Sequence, residues 1–176
     1  MAVPEIRSRL LAQPRLWPAL TLAASAAMLA TAWGFQLIGG FEPCTLCIYQ
    51  RWPYWIMIVL AALGVLAARR MGVRGLVIFA GAGAIVFLGG AGVAGFHVGV
   101  EQGWWEGLST CGGGLDDPGM SIEELKHRLL STKLVRCDDV TWSLFGISMA
   151  GYNFLISLAL AGASLWAARG FWRMTA

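Results

Sequence analysis

Pro43-Cys44-Thr45-Leu46-Cys47-Ile48-Tyr49-Gln50-Arg51 sits where a short turn gives way to a long apolar run. Two thiols three residues apart follow a proline, and a cation follows four residues after the second thiol. Proline suits the first turn of a helix. A helix N-terminus offers unpaired N–H groups and positive potential, which favour a thiolate over a thiol. At i and i+3, Cys44 and Cys47 can approach closely enough for a strained, reducible disulfide. Arg51 lies one turn beyond Cys47 on the same face, placed to stabilise a Cys47 thiolate. A cation at membrane depth marks a functional site.

The surroundings supply the membrane. Of 176 residues, 57% are hydrophobic and only 13% are charged, against about 25% charged in soluble domains. Mean hydropathy is +0.65. Leu16 to Gly40, Trp52 to Ala68, Gly75 to Val100 and Thr141 to Ala168 carry no Asp, Glu, Lys or Arg. Crossing a bilayer takes roughly 20 apolar residues, and the second stretch reaches that length if its helix starts near Cys44. The pattern predicts one integral membrane domain over 1–176. It is an all-α bundle of four transmembrane helices at about 16–38, 45–68, 75–98 and 143–168, with outer loops at 39–44 and 99–142. The first apolar stretch reads as a retained helix. It exceeds a signal-peptide core, and no small-residue cleavage pattern follows it.

Basic residues orient the bundle. The N-terminal tail, the 69–74 connection and the C-terminal tail hold 8 of the 13 basic residues and only Glu5 of the 10 acidic ones. Positive charge stays inside, so both termini are expected in the cytoplasm. The net charge of +3 is a topology signal, with no nucleic-acid patch in it. Cys44, Cys47, Cys111 and Cys137 all fall at or on the far side, the oxidising one in a bacterial-type membrane. Four cysteines allow three complete pairings.

Pro53 lies inside the second apolar segment and should loosen the turn containing Tyr49. The glycines of the third segment permit close helix packing. In the long outer loop, Trp104, Trp105 and Trp142 suit the interface. Gly112-Gly113-Gly114 predicts mobile surroundings for Cys111. Ser121-Ile-Glu-Glu124 is a capping box that starts a short amphipathic helix to about Leu130.

A Cys-x-x-Cys can be half of a zinc site, but Cys111 and Cys137 stand 26 residues apart and no histidine adjoins them, unlike the close-spaced pairs of structural zinc. No metal is expected. Two structural disulfides are the plainer alternative, although a Cys-x-x-Cys ring braces little chain. A thiol relay explains more: thiol–disulfide exchange passes oxidising equivalents through mixed disulfides. A loop pair can meet a soluble protein while a helix-mouth pair meets a lipid-soluble quinone.

Pro43 to Arg51, the four apolar stretches, Cys111, Cys137 and the Trp142-Ser-Leu-Phe-Gly-Ile-Ser-Met-Ala150 run together resemble the DsbB family of bacterial inner-membrane disulfide-forming oxidoreductases. The resemblance implies reoxidation of a periplasmic DsbA-like thioredoxin-fold partner and electron transfer to ubiquinone or menaquinone. It implies resting pairs Cys44–Cys47 and Cys111–Cys137. Cys111 would take the mixed disulfide with the partner, and Cys137 would bond transiently to Cys44. Cys47 would face the quinone, held by Arg51, with His97 nearby. A histidine with only an interfacial role is the alternative for His97. Glu42, Gln50 and Glu101 are polar neighbours with no assigned role, and His127 is read as surface. The Gly-Gly-Gly-Leu-Asp-Asp run after Cys111 is longer and more acidic than the family's loops, which leaves a dedicated substrate possible in place of a general DsbA. A vitamin K epoxide reductase-like bundle also carries a Cys-x-x-Cys, but late in its chain.

Overall fold

A computed structural model describes residues 13, 15–108, 111, 121, 123 and 135–175. The expected loop helix and the glycine run after Cys111 lie outside the described residues, apart from Ser121 and Glu123. The described chain is almost wholly helical, with α1 at Leu16–Leu37, α2 at Thr45–Tyr49 and α3 at Trp52–Glu101. A two-residue hairpin follows, with β1 at Ser143–Leu144 and β2 at Ile147–Ser148, and then α4 at Met149–Trp172. Among the described residues three helices are long and apolar enough to cross a membrane: α1, the Thr45–Glu101 segment that holds α2 and α3, and α4.

α1 has 22 residues, about 33 Å at 1.5 Å per residue, close to the hydrocarbon thickness of a bilayer. It stops at Gly39-Gly40, where Gly40 takes φ +69°. α3 has 50 residues, about 75 Å if straight, far more than one crossing needs. It is not straight. At Gly72 the backbone takes φ 60°, ψ −177°, a combination open essentially only to glycine. The chain reverses there. A Cβ at Gly64 would stand 3.1 Å from Phe79, Gly83 faces Met57 at 3.5 Å, and Gly90 faces Pro53 at 3.2 Å. The Tyr54 and Phe87 rings lie 6.3 Å apart. The two arms of α3 are therefore antiparallel neighbours. Where charge patterning predicts a loop over 69–74, helix runs up to one glycine on either side, and Arg69, Arg70 and Arg74 project from it exposed.

α1 and α4 both pack on α3. The core is built from Trp17, Leu29, Met57, Ala61, Ala80, Phe87, Ala161 and Phe171. Small residues at the contacts let helices approach where lipid gives no hydrophobic push.

Two boundaries differ from the sequence reading. Pro43 precedes the helix instead of opening it, because Cys44 takes the cap position. The last helix begins at Met149, six residues later than expected. Phe145 and Gly146 both take positive φ, 51° and 77°, which closes a tight hairpin pairing Ser143 with Ser148 and Leu144 with Ile147. Ser148 then caps α4, its Oγ accepting the Gly151 N–H at 3.0 Å. Pro53 acts as expected: the helix breaks at Gln50 and Arg51, between α2 and α3.

Candidate redox site

The site is built at the mouth of α2. Cys44 has extended backbone (φ −72°, ψ 171°), and its Sγ accepts the Cys47 N–H at 3.2 Å. It thus does what an N-cap serine or aspartate does. Cys44 and Cys47 are free thiols with their sulfurs 2.8 Å apart. Hydrogen bonding from the Cys47 thiol, helped by His97 and the Cys47 amide, outweighs burial and holds the Cys44 thiol well below its ordinary value. The helix mouth therefore favours the Cys44 sulfur. Arg51 points elsewhere: its Nη1 donates to Gln36 Oε1 at 2.8 Å, and its guanidinium carbon lies 6.0 Å from the Trp33 ring centre. α1 thus fixes the arginine at the rim.

Cys111 and Cys137 are joined in a disulfide with Cα atoms 5.2 Å apart. Both are buried, Cys137 completely. With Cys44, Leu46 and Val100 they form one apolar cluster, flanked by Cys47, Phe96 and Val135. All four cysteines share one environment, although the sequence pictured the loop pair on a mobile arm. The loop is drawn in partly by Trp105. Its Nε1 donates to Phe96 O at 2.9 Å, its ring stacks on Phe96 at 5.8 Å, and it covers Gly99 so closely that no Cβ would fit.

His97 joins the two pairs. Its Nε2 lies 3.1 Å from the Cys137 carbonyl oxygen and 3.7 Å from Cys44 Sγ. Its Nδ1 lies 2.7 Å from Gln50 Nε2. From there polar contacts continue inward: Asn153 Nδ2 donates to Gln50 Oε1 at 2.6 Å, and the Tyr54 hydroxyl donates to Asn153 Oδ1 at 2.5 Å and meets Ser157 Oγ at 2.9 Å. Glu101 accepts the Ser148 hydroxyl, tying the end of α3 to the cap of α4. Outside the cluster, Arg136 grips Asp138 with two hydrogen bonds of 2.9 and 2.6 Å.

Cys44, Cys47, His97, Arg51, Gln50, Tyr54 and Glu101 line a cavity of about 350 Å³ between α1 and α4. Met28, Leu29, Ala32 and Phe35 give it an apolar wall on the α1 side, and Asn153 and Ile156 face them from α4. Ligand sites have this character, apolar with a few convergent polar groups.

Cys44, Cys47 and His97 also bring two sulfurs and a nitrogen within 4.8 Å of one another. Two thiolates on one tetrahedral zinc, each about 2.3 Å from it, would stand roughly 3.8 Å apart. The 2.8 Å separation suits a pair poised to bond with each other.

The structure brings every expected site residue, Cys44, Cys47, Arg51, His97, Cys111 and Cys137, to this one end of the bundle. Sequence reasoning missed Tyr54, Asn153, Ser157, Gln36 and Trp33. Tyr54 and Asn153 did carry a signal: polar groups inside apolar spans need partners.

The chain matches the family described as "Disulfide bond formation protein DsbB" over residues 14–167. It is 37% identical over 148 residues to the disulfide bond formation protein B of Methylococcus capsulatus, covering 80% of this chain and 85% of that one. It is 32% identical over 156 residues to the protein of that name from Polaromonas sp., covering 85% and 88%. For Nitrosococcus oceani the identity is 33% over 147 residues, covering 80% and 83%. No solved structure matches the chain at comparable significance. On the family match and these relatives, the chain belongs to the DsbB family of disulfide bond formation proteins.

Proposed function

We propose that this chain is a quinone-dependent protein-dithiol oxidase of the bacterial inner membrane. Family membership carries disulfide bond formation, and the apolar helices carry membrane integration. The observation that carries the finer reading is the meeting of both cysteine pairs beside one apolar cavity. In this reading α1, the two arms of α3 and α4 make four crossings. Both termini and the Gly72 turn lie in the cytoplasm, and the cysteines lie at the periplasmic face.

The relay balances in thiols and disulfides. A thiolate of a DsbA-like partner attacks Cys111 Sγ and releases Cys137 as thiolate. The partner's second thiol resolves that mixed disulfide, so the partner leaves oxidised and Cys111 leaves reduced. Cys137 attacks Cys44 of an oxidised Cys44–Cys47 pair and releases Cys47. Cys111 then attacks Cys137, re-forming the loop disulfide and leaving Cys44 and Cys47 as two thiols. The cavity fits a quinone head group: its walls are largely apolar, and Arg51, His97 and Gln50 line it together with the two thiols. Ubiquinone or menaquinone held there would take up two electrons and two protons, and the Cys44–Cys47 bond would re-form. Arg51, braced by Gln36 and Trp33, would orient a quinone carbonyl, while Cys47 lines the same cavity.

The test is quinone reduction. Purified protein with excess reduced DsbA-like partner and ubiquinone should consume the quinone's ultraviolet absorbance. Cys47→Ser and Cys111→Ser should both abolish the loss. Activity surviving in either variant would break the two-pair relay.

A further inference from the structure

A run of buried and half-buried uncharged polar groups reaches from the thiols into the apolar interior, and its donors and acceptors have one consistent direction. Asn153 offers its Nδ2 protons to Gln50 Oε1 at 2.6 Å. Gln50 must then turn its own amide protons toward His97, 2.7 Å away. The nitrogen they meet, Nδ1, must carry a lone pair, so in the neutral ring the proton sits on Nε2. That Nε2–H faces the Cys137 carbonyl at 3.1 Å and the Cys44 sulfur at 3.7 Å. The orientation of Asn153 is fixed in turn. Its Oδ1 accepts the Tyr54 hydroxyl at 2.5 Å and has the Ser157 hydroxyl within 3.5 Å, and the Ser157 and Tyr54 oxygens lie 2.9 Å apart. Gln50, His97 and Ser157 are all buried, at 6%, 3% and 1% exposure, and Tyr54 is too, at 3%.

We propose that Gln50, Asn153 and Tyr54 are positioning residues that lock His97 in the Nε2–H tautomer, so that an N–H always faces Cys44 and the backbone of Cys137. The proposal deepens the relay above and rests on it for its purpose. When Cys44 and Cys137 exchange, sulfur charge develops beside His97, and an N–H aimed there stabilises it. The opposite tautomer would turn a lone pair on both the sulfur and the Cys137 oxygen. The run does not conduct protons: carboxamides hold their N–H protons firmly, and two of them interrupt the path. It is a brace anchored at Ser157, on the third turn of α4.

The brace is read by nitrogen NMR of the full chain in detergent micelles or nanodiscs. The chain has only two histidines, so ¹⁵N-histidine labelling gives two rings, and His127→Ala identifies the His97 signals. In the native protein His97 should show a bare Nδ1 and a protonated Nε2. Gln50→Glu replaces the donor by an acceptor and should move the proton to Nδ1. Asn153→Leu frees the Gln50 amide and should give a mixture of tautomers, with Cys44–Cys137 exchange slowed about tenfold, the scale of one buried polar group left unpaired. Asn153→Gln should restore part of the native signal.

A native ring protonated on Nδ1, or unchanged tautomers in both Gln50→Glu and Asn153→Leu, would overturn the proposal. The native spectrum decides even if a variant fails to fold. It also needs no quinone or partner, so failure of the relay and failure of the brace are distinguishable.

Discussion

The two ends of the hairpin formed by the arms of α3 solve the same problem in opposite ways. Near Gly72 the arms are dry and small: Gly64, Ala61, Ala80 and Gly83 bring them together, and Met57 and Phe79 fill the remaining space. Near Cys44 the same arms carry Tyr54 and His97, and Gln50 stands between α2 and α3, each with a polar partner. In the dry part of the bundle the Ser25 and Ser164 hydroxyls and the Trp17 indole N–H have no partner among the described residues. The difference teaches what the cysteine-bearing end is for. An apolar bundle can hold together on small residues alone, and the polar network ties α3 to α4 beside the thiols. Among the described residues the run of side-chain hydrogen bonds through His97, Gln50, Asn153 and Tyr54 lies beside the thiols, which marks that end as the candidate site.

The largest effect that tests this contrast is at the thiols themselves. Cys44→Ser should abolish partner oxidation while leaving the helices intact, read by oxidised partner formed and by circular dichroism. A folded variant that keeps its activity would separate the polar end from the chemistry. At the tight contacts, Gly90→Val should destabilise by about 1–3 kcal/mol, the usual range for overpacking, because its Cβ already lies 3.2 Å from Pro53. Thermal unfolding in detergent measures it, and an unchanged midpoint would mean that the arms can part freely. Tyr54→Phe removes only a hydroxyl with two partners. It should lower stability by roughly 0.6–1.7 kcal/mol, as interhelical hydrogen bonds in membranes do, and should slow exchange more than Gly90→Val does.

The smallest effect is at the surface. The Arg136 guanidinium holds the Asp138 carboxyl below its ordinary value of 3.8. Its stabilisation is therefore full above that value and is lost as pH falls through the lowered one. Both side chains are about half exposed, 58% and 47%, so Asp138→Asn should change stability by less than about 1 kcal/mol. Unfolding midpoints at neutral and acid pH check it, and a larger change would mean that the loop contributes more to the site than its exposure implies.

Much of this molecule is readable along one dimension. Charge-free stretches located α1 to within a residue, because transfer into lipid depends on local composition. Cys-x-x-Cys after a proline located the helix mouth, because cap chemistry spans only a few residues. Pro53 foretold the break at Gln50 and Arg51 through its missing N–H. Local pattern misplaced the start of α4, since Ser143 to Ser148 is as apolar as a helix end. Only the positive φ angles at Phe145 and Gly146 turn it into a hairpin.

The sequence by itself determined that the chain is helical and apolar, and that four cysteines gather at one end. Each of those properties follows from residue type and near neighbours. Tertiary structure decided that the loop disulfide is buried beside Cys44, that Arg51 leans on Gln36 and Trp33, and that Asn153 reaches Gln50 from 103 positions away. These contacts join α1, α3, α4 and the outer loop. A hydrogen bond depends on angles and tenths of an ångström, which exist only once the helices have packed.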